Sequence, residues 1–157
     1  MREIAGACHC GGITFEFCLP DQGPDQGPDS GPDSGSGGGF AIAVRECGCG
    51  FCRTHGGVWT SHPDGTLIGV LHAPEKVNRY RFGHGTADFY ICNRCGAVPF
   101  VVSTVDGRDR AVVNANTFTN VARDQMMFVS TDFEAEGVDE RLMRRNRNWI
   151  GRVDIRR

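Results

Sequence analysis

Seven of the eight cysteines in this 157-residue chain fall into three short clusters. These are Cys8-His9-Cys10, Cys47-Gly48-Cys49-Gly50-Phe51-Cys52 and Cys92-Asn93-Arg94-Cys95. No other feature restricts the fold as tightly, because thiols this close must either cross-link or share a ligand. Disulfides fit badly: the disulfide dihedral needs a defined span that cysteines one residue apart do not supply. The start of the chain, Met1-Arg2-Glu3-Ile4-Ala5-Gly6-Ala7, lacks the apolar segment of a secretion signal. A cytoplasmic setting is therefore expected, in which thiols stay reduced. Thiols at these spacings offer two or three ligands from one turn to a soft tetrahedral metal, and zinc is expected.

The seven thiols divide as four and three. Cys8 and Cys10 with Cys92 and Cys95 complete one tetrahedral site and clamp distant parts of the chain together. A closed four-thiolate zinc is structural, with a binding free energy of ~10–16 kcal/mol in small zinc domains. Total folding stability is only ~5–15 kcal/mol, so loss of this metal should unfold the domain. Cys47, Cys49 and Cys52 are expected to hold a second zinc. Its fourth position is either open, the mark of a catalytic site, or closed by a histidine, His55 being the nearest. Zinc with three thiolates carries one net negative charge and suits a soft thiol better than a carbonyl. Glycines at 48, 50, 56 and 57 let the backbone wrap closely around such a metal.

Between the clusters the chain reads as mainly β. Ile13, Phe15 and Phe17 alternate along residues 12–18, which predicts a half-buried strand. Further strands are expected at 40–45, 66–72, 78–82, 87–91, 98–103, 111–113 and 126–129, separated by Gly, Pro, Asn or Asp. Asp106-Gly107 predicts a hairpin turn. A helix is expected over Asp139–Asn148, and a short helical turn after Cys52. Residues 20–39 carry a four-residue repeat, Asp21-Gln22-Gly23-Pro24 and its variants, then Gly37-Gly38-Gly39. That segment cannot build a core and is expected to be a flexible loop inserted in one zinc-binding domain spanning 1–157. Its Asp spacing does not suit a calcium loop. No apolar run approaches the ~18–20 residues of a membrane span.

The order of the clusters resembles the glutathione-dependent formaldehyde-activating enzyme family, which includes centromere protein V. Cys8-His9-Cys10-Gly11-Gly12, then Cys47 through Gly56, then Phe89-Tyr90-Ile91-Cys92-Asn93-Arg94-Cys95-Gly96 carry the likeness. Tyr80-Arg81-Phe82 also fits, while Asn116-Thr117-Phe118-Thr119 stands where the family commonly has a Gly-Thr-Leu-Asp-like segment. The resemblance implies a tent-like fold of short antiparallel sheets and the same four-plus-three division of the thiols. It implies carbon–sulfur lyase chemistry: reversible formation of an adduct between glutathione and formaldehyde at the zinc of Cys47, Cys49 and Cys52. A small-molecule thiol would then be the partner, and the protein cysteines would only hold metal.

The 17 basic residues are sixteen Arg and one Lys, Lys76, and seven arginines lie within the last 17 positions. The bland expectation for this basic segment, 139–157, is a solvated terminal helix with its neighbours. The alternative function is a non-catalytic zinc-stabilised binding module, or a thiol carrier, whose arginine-rich tail contacts a partner. A net charge of -2 and the lack of aromatics among these arginines argue against nucleic acid. Arg53 follows a ligand and is expected either to fork a substrate carboxylate or to bond a nearby carbonyl. His9 should point away from the metal, Cys18 is a bystander thiol, and Trp59 belongs to the core. His55, His62, His72 and His84 are undecided as general bases.

Overall fold

The computed structural model describes residues 1–20 and 41–157. The repeat loop after Pro20, and Phe40 of the return strand, lie outside the described residues. The strands are β1 (Arg2–Ala7), β2 (Ile13–Leu19), β3 (Ile42–Cys47), β4 (Val58–Thr60), β5 (Thr66–Leu71) and β6 (Val77–Tyr80). They continue as β7 (Asp88–Cys92), β8 (Phe100–Val105), β9 (Arg108–Asn114), β10 (Met126–Thr131) and β11 (Arg152–Arg156). Two α-helices, α1 (Gly50–His55) and α2 (Val138–Asn148), complete the described residues with three short 3-10 turns. The expected mainly β class with one short C-terminal helix is what the chain adopts. None of these helices is long and apolar enough to cross a membrane.

Two sheets form, one of four strands in the order β1-β2-β5-β11 and one of seven, β10-β3-β4-β9-β8-β7-β6. Most pairs are antiparallel, but β10 runs parallel to β3 and β11 parallel to β5, so the sheets are mixed. Asp106 (φ 50°) and Gly107 (φ 72°) make the β8–β9 hairpin turn, both residues in the left-handed region that such a tight turn demands.

Alternation along the strands sorts the apolar side chains into two cores. One face of the seven-stranded sheet, with Val44, Tyr90, Phe100, Val102, Ala111 and Val113, packs on Ile4, Ile13, Phe15, Phe17, Leu67 and Leu71 of the other sheet. Phe15 and Phe100 meet edge to face across that interface, ring centres 6.2 Å apart. Each such fully buried side chain contributes ~1.5–3 kcal/mol. The opposite face carries Trp59, Val101 and Val112, which gather with Cys52, Ala87, Val98 and Trp149 in a second core. The seven-stranded sheet is thus covered on both sides.

The C-terminal segment is not a solvated appendage. Arg145 is only 6% exposed, and Trp149 and Ile150 behind it are buried. Ile150 exchanges backbone hydrogen bonds with Ala111 of β9, and β11 then joins the edge of the four-stranded sheet beside β5. Arg152 and Arg156 remain exposed.

Candidate metal centres and the adjoining cavity

The four-thiol cluster is built from two similar turns, one from each sheet. Cys8 and Cys10 lie between β1 and β2; Cys92 closes β7 and Cys95 precedes β8. Each turn ends on a left-handed glycine, Gly11 (φ 77°) or Gly96 (φ 76°), whose N–H donates to the carbonyl of Cys8 or Cys92. That geometry turns both sulfurs of a pair to one side. All four sulfurs lie within 4.8 Å of one another. Cys8 Sγ to Cys10 Sγ is 3.7 Å, and Cys10 Sγ to Cys92 Sγ is 3.4 Å. A tetrahedral zinc with ~2.3 Å bonds places its sulfurs about 3.8 Å apart, so this donor set fits. The Ile13 N–H donates to Cys8 Sγ at 3.2 Å.

The three-thiol cluster is built differently. Cys47 is the last residue of β3, Cys49 caps α1 and Cys52 lies within it. The Gly48 N–H donates to the carbonyl of Thr131 on β10, which fixes the exit from β3. Gly56 closes α1 in the left-handed conformation (φ 64°), and the side-chain amides of Asn114 and Asn116 donate to its carbonyl at 3.4 and 2.8 Å. Trp59 donates its indole Nε1–H to Cys52 Sγ at 3.2 Å. Among the described residues, no histidine or carboxylate joins these three sulfurs, which lie within 4.8 Å of one another. His55 instead stacks on Phe51 with ring centres 4.2 Å apart, so the version of the site closed by His55 is not the one the chain builds.

Protons are shared unevenly within both clusters. Hydrogen bonding from Cys52, opposed by burial and helped by the backbone and thiol of Cys49, brings the Cys47 thiol down to about 6. Cys52 itself is pushed up, first by that bond to Cys47 and then by burial. Burial likewise lifts Cys8 to about 12. Burial also opposes ionisation of Cys95, but hydrogen bonds from the Ala97 and Cys10 backbones and from Cys92 and Cys8 prevail and lower it to about 6. Crowded sulfurs that share too few protons are a donor set for a soft cation, which deprotonates such thiols outright.

The two clusters differ most in what lies beside them. Cys47, Cys49 and Cys52 line a cavity of about 400 Å³, walled by Trp59, Phe82, Phe89, Val101, Val112 and Trp149. Its polar lining includes Arg45, Arg141, Arg144, Arg145, His84 and Glu134. Of the histidines considered as bases, only His84 lines this cavity among the described residues; His72 lies 3.0 Å from Thr14 Oγ1 instead. Arg53 is exposed on α1 and does not line it. His9 is exposed, as expected beside two ligands, and Cys18 is half-buried with its thiol pushed up by burial, then by Glu3 and Glu16. Trp59 is buried in the core, as expected, yet it also touches a ligand sulfur.

The arginines facing the cavity are the residues that sequence reasoning missed. Arg45 comes from β3 and the other three from α2, about a hundred positions later. Arg45 donates to Ser61 Oγ at 2.9 Å, and burial, then Arg144, depresses its pKa. Arg144 clasps Glu136 in a two-pronged pair (Nε–Oε2 2.9 Å, Nη2–Oε1 2.9 Å), and Arg141 approaches the same carboxylate at 3.7 Å. Arg145 donates Nη1 to Thr86 and Ser103 and lies 4.8 Å from the Trp149 ring centre. Burial, then Arg141 and Arg144, pull its pKa to about 10 against the effect of Glu136.

The fold and the donor geometry define a mainly β protein with two cysteine clusters able to hold metal ions, one joining the two sheets and one facing a cavity. No family model matches the chain, and no curated protein matches it. The chain is similar to a crystal structure of a Rhodobacter sphaeroides protein. The likeness has a TM-score of 0.52 and 27% identity, and covers 81% of this chain and 99% of that one.

Proposed function

We propose that the chain is a zinc-dependent carbon–sulfur lyase that forms or cleaves an adduct between a thiol and an aldehyde. Glutathione and formaldehyde are the pair implied by the resemblance to the formaldehyde-activating family. The observation that carries the reading is the three-sulfur cluster, which has no fourth protein ligand among the described residues and opens on a cavity walled by apolar side chains. Cys47, Cys49 and Cys52 would hold the zinc ion, which would supply the Lewis acidity that favours the thiolate form of a substrate thiol. The reaction forms a bond from the substrate sulfur to the aldehyde carbon. The carbonyl π pair moves to oxygen, which ends with the proton that the thiol gave up; the reverse path cleaves the adduct.

The chain's own residues prepare that chemistry. Trp59 holds the Cys52 sulfur in place through its indole N–H. Phe82, Phe89 and Trp149 give the cavity apolar walls, beside which charge interactions are stronger than in open water. His84 lines the same space, as Glu134 does, and its imidazole is a side chain of the kind that carries a proton between sulfur and oxygen. The competing reading, a binding module whose arginine tail contacts a partner, loses support because Arg141, Arg144 and Arg145 turn into the cavity.

The test is the zinc content of gently purified protein, with glutathione-dependent loss of formaldehyde followed on the same material. About two zincs per chain and saturable turnover are expected, with one zinc and no turnover in Cys49→Ser. Zinc-replete protein that turns over no thiol–aldehyde pair would sink the proposal.

A further inference from the structure

We infer that the cavity beside the three-cysteine cluster is an anion pocket, which selects a small thiol whose far end carries a carboxylate. The inference rests on the lyase reading for the thiol but on the cavity alone for the carboxylate. Four guanidinium groups line this space, with Glu134 the carboxylate among the lining residues. Glu136 is committed to Arg144 and Arg141, so among the described residues two positive charges remain unmatched. A zinc with three thiolates would offset only one of them, and Asp132, beside Gly48, is exposed and does not line the cavity.

Arg145 makes the case sharpest. It is 6% exposed, and its Nε is buried without a hydrogen-bond partner. Its Nη1 bonds are to neutral oxygens of Thr86 and Ser103, and among the described residues no carboxylate pairs with it. Arg45, which is half-buried, likewise bonds a neutral group, the Ser61 hydroxyl. A buried guanidinium without a counter-charge is costly, and a ligand carboxylate would supply the missing charge. Planar forks suit a carboxylate better than a neutral group. The thiol end would meet the cluster, since both line one cavity. The C-terminal helix thereby becomes the element that reads the substrate.

Zinc-loaded protein titrated with 3-mercaptopropionate and with its neutral analogue 3-mercapto-1-propanol tests this directly. Both tryptophans line the cavity, so quenching of their fluorescence, with calorimetry beside it, reports binding without turnover. The acid is expected to bind about ten-fold or more tightly than the alcohol, the worth of one charged hydrogen bond. Arg145→Gln and Arg45→Gln should each lose most of that preference while binding the alcohol unchanged. Should Arg145→Gln fail to fold, Arg45→Gln and the wild-type acid-to-alcohol ratio still decide. Equal binding of acid and alcohol by wild type, or a preference unchanged in the variants, would overturn the inference. Propionate, which has no thiol, separates it from the lyase reading. Propionate that still binds Cys49→Ser, in a protein that handles no thiol, would uphold the anion pocket while the lyase reading fails.

Discussion

The four-thiol and three-thiol clusters use the same ligand chemistry and are placed for opposite purposes. Cys8, Cys10, Cys92 and Cys95 come in pairs from two different sheets, so a metal there joins sheet to sheet. Three of these four, Cys8, Cys92 and Cys95, also contribute to the core between the sheets. Cys47, Cys49 and Cys52 come from one strand end and the helix that follows, all within six positions. A metal there joins nothing that the chain has not already joined. What it gains is access to the cavity on the far face of the seven-stranded sheet. The difference teaches that a structural site is recognised by the chain it spans, and a functional one by the space it faces.

The largest effect should come from breaking the sheet-to-sheet clamp. Cys92→Ser removes a sulfur that is 2% exposed and shared by the cluster and the core. Loss of the metal forfeits ~10–16 kcal/mol, comparable with the whole folding stability. Circular dichroism and a thermal melt are expected to show no cooperative transition, and zinc analysis to show both ions gone. A folded Cys92→Ser protein with an ordinary melting temperature would break the contrast drawn here.

Cys49→Ser is the counterpart and should be milder for the fold. Cys49 caps α1 without a side-chain capping bond, so its loss leaves the helix and its neighbours held by Gly56, Asn114 and Asn116. One zinc should remain, melting should stay cooperative, and thiol–aldehyde turnover should vanish. If this variant unfolds as completely as Cys92→Ser, both sites are structural.

Much of this was legible in the sequence, and the misses have physical causes. Strands such as β2 and β8 announce themselves because β-branched and aromatic residues alternate or run together. β4 shows no alternation because Val58, Trp59 and Thr60 are all buried, one face in each core. β11 does alternate, with Val153 and Ile155 between charged residues, but those charges made it read as tail. β1 owes its place to antiparallel pairing with the neighbouring β2, which six weakly patterned residues do not signal by themselves. The metal clusters could be read from spacing alone, since each ligand group is local or paired. The cavity could not, because Arg45 and Arg145 meet only through the parallel pairing and crossovers of the finished sheets.

A smaller substitution reaches the three-thiol site without touching a ligand. A Cβ on Gly57 would lie 2.8 Å from Trp59 Nε1 and 2.9 Å from Cys52 Sγ. Gly57→Ala must therefore move the sulfur or its indole donor, at a cost of ~1–3 kcal/mol in packing strain. Competition with a chelator should remove one zinc far more easily than in wild type, with the other unaffected. Equal retention of both ions would mean that the Cys52 sulfur tolerates displacement.

The smallest predicted effect isolates the indole hydrogen bond itself. Trp59→Phe keeps an aromatic ring in the second core but removes the Nε1–H that reaches Cys52 Sγ at 3.2 Å. A thiolate gains from a donor that disperses its charge, and groups behind a ligand typically carry ~10-fold or more in metal affinity. Losing one hydrogen bond costs only ~0.5–1.5 kcal/mol of folding stability, so the melting temperature should fall by a few degrees. The expected outcome is a two-zinc protein whose second ion leaves about ten times more readily to a chelator, while the four-thiol zinc is unchanged. The same variant should react faster at the three-thiol cluster with a thiol-alkylating reagent once that ion is removed. The four-thiol cluster has its own backbone donor, Ile13 N–H to Cys8 Sγ, which this change does not reach. Weakening of both ions together would mean that the two cores transmit strain to each other through the shared sheet. The separation of a structural face from a functional face would then be one of position only, not of energy.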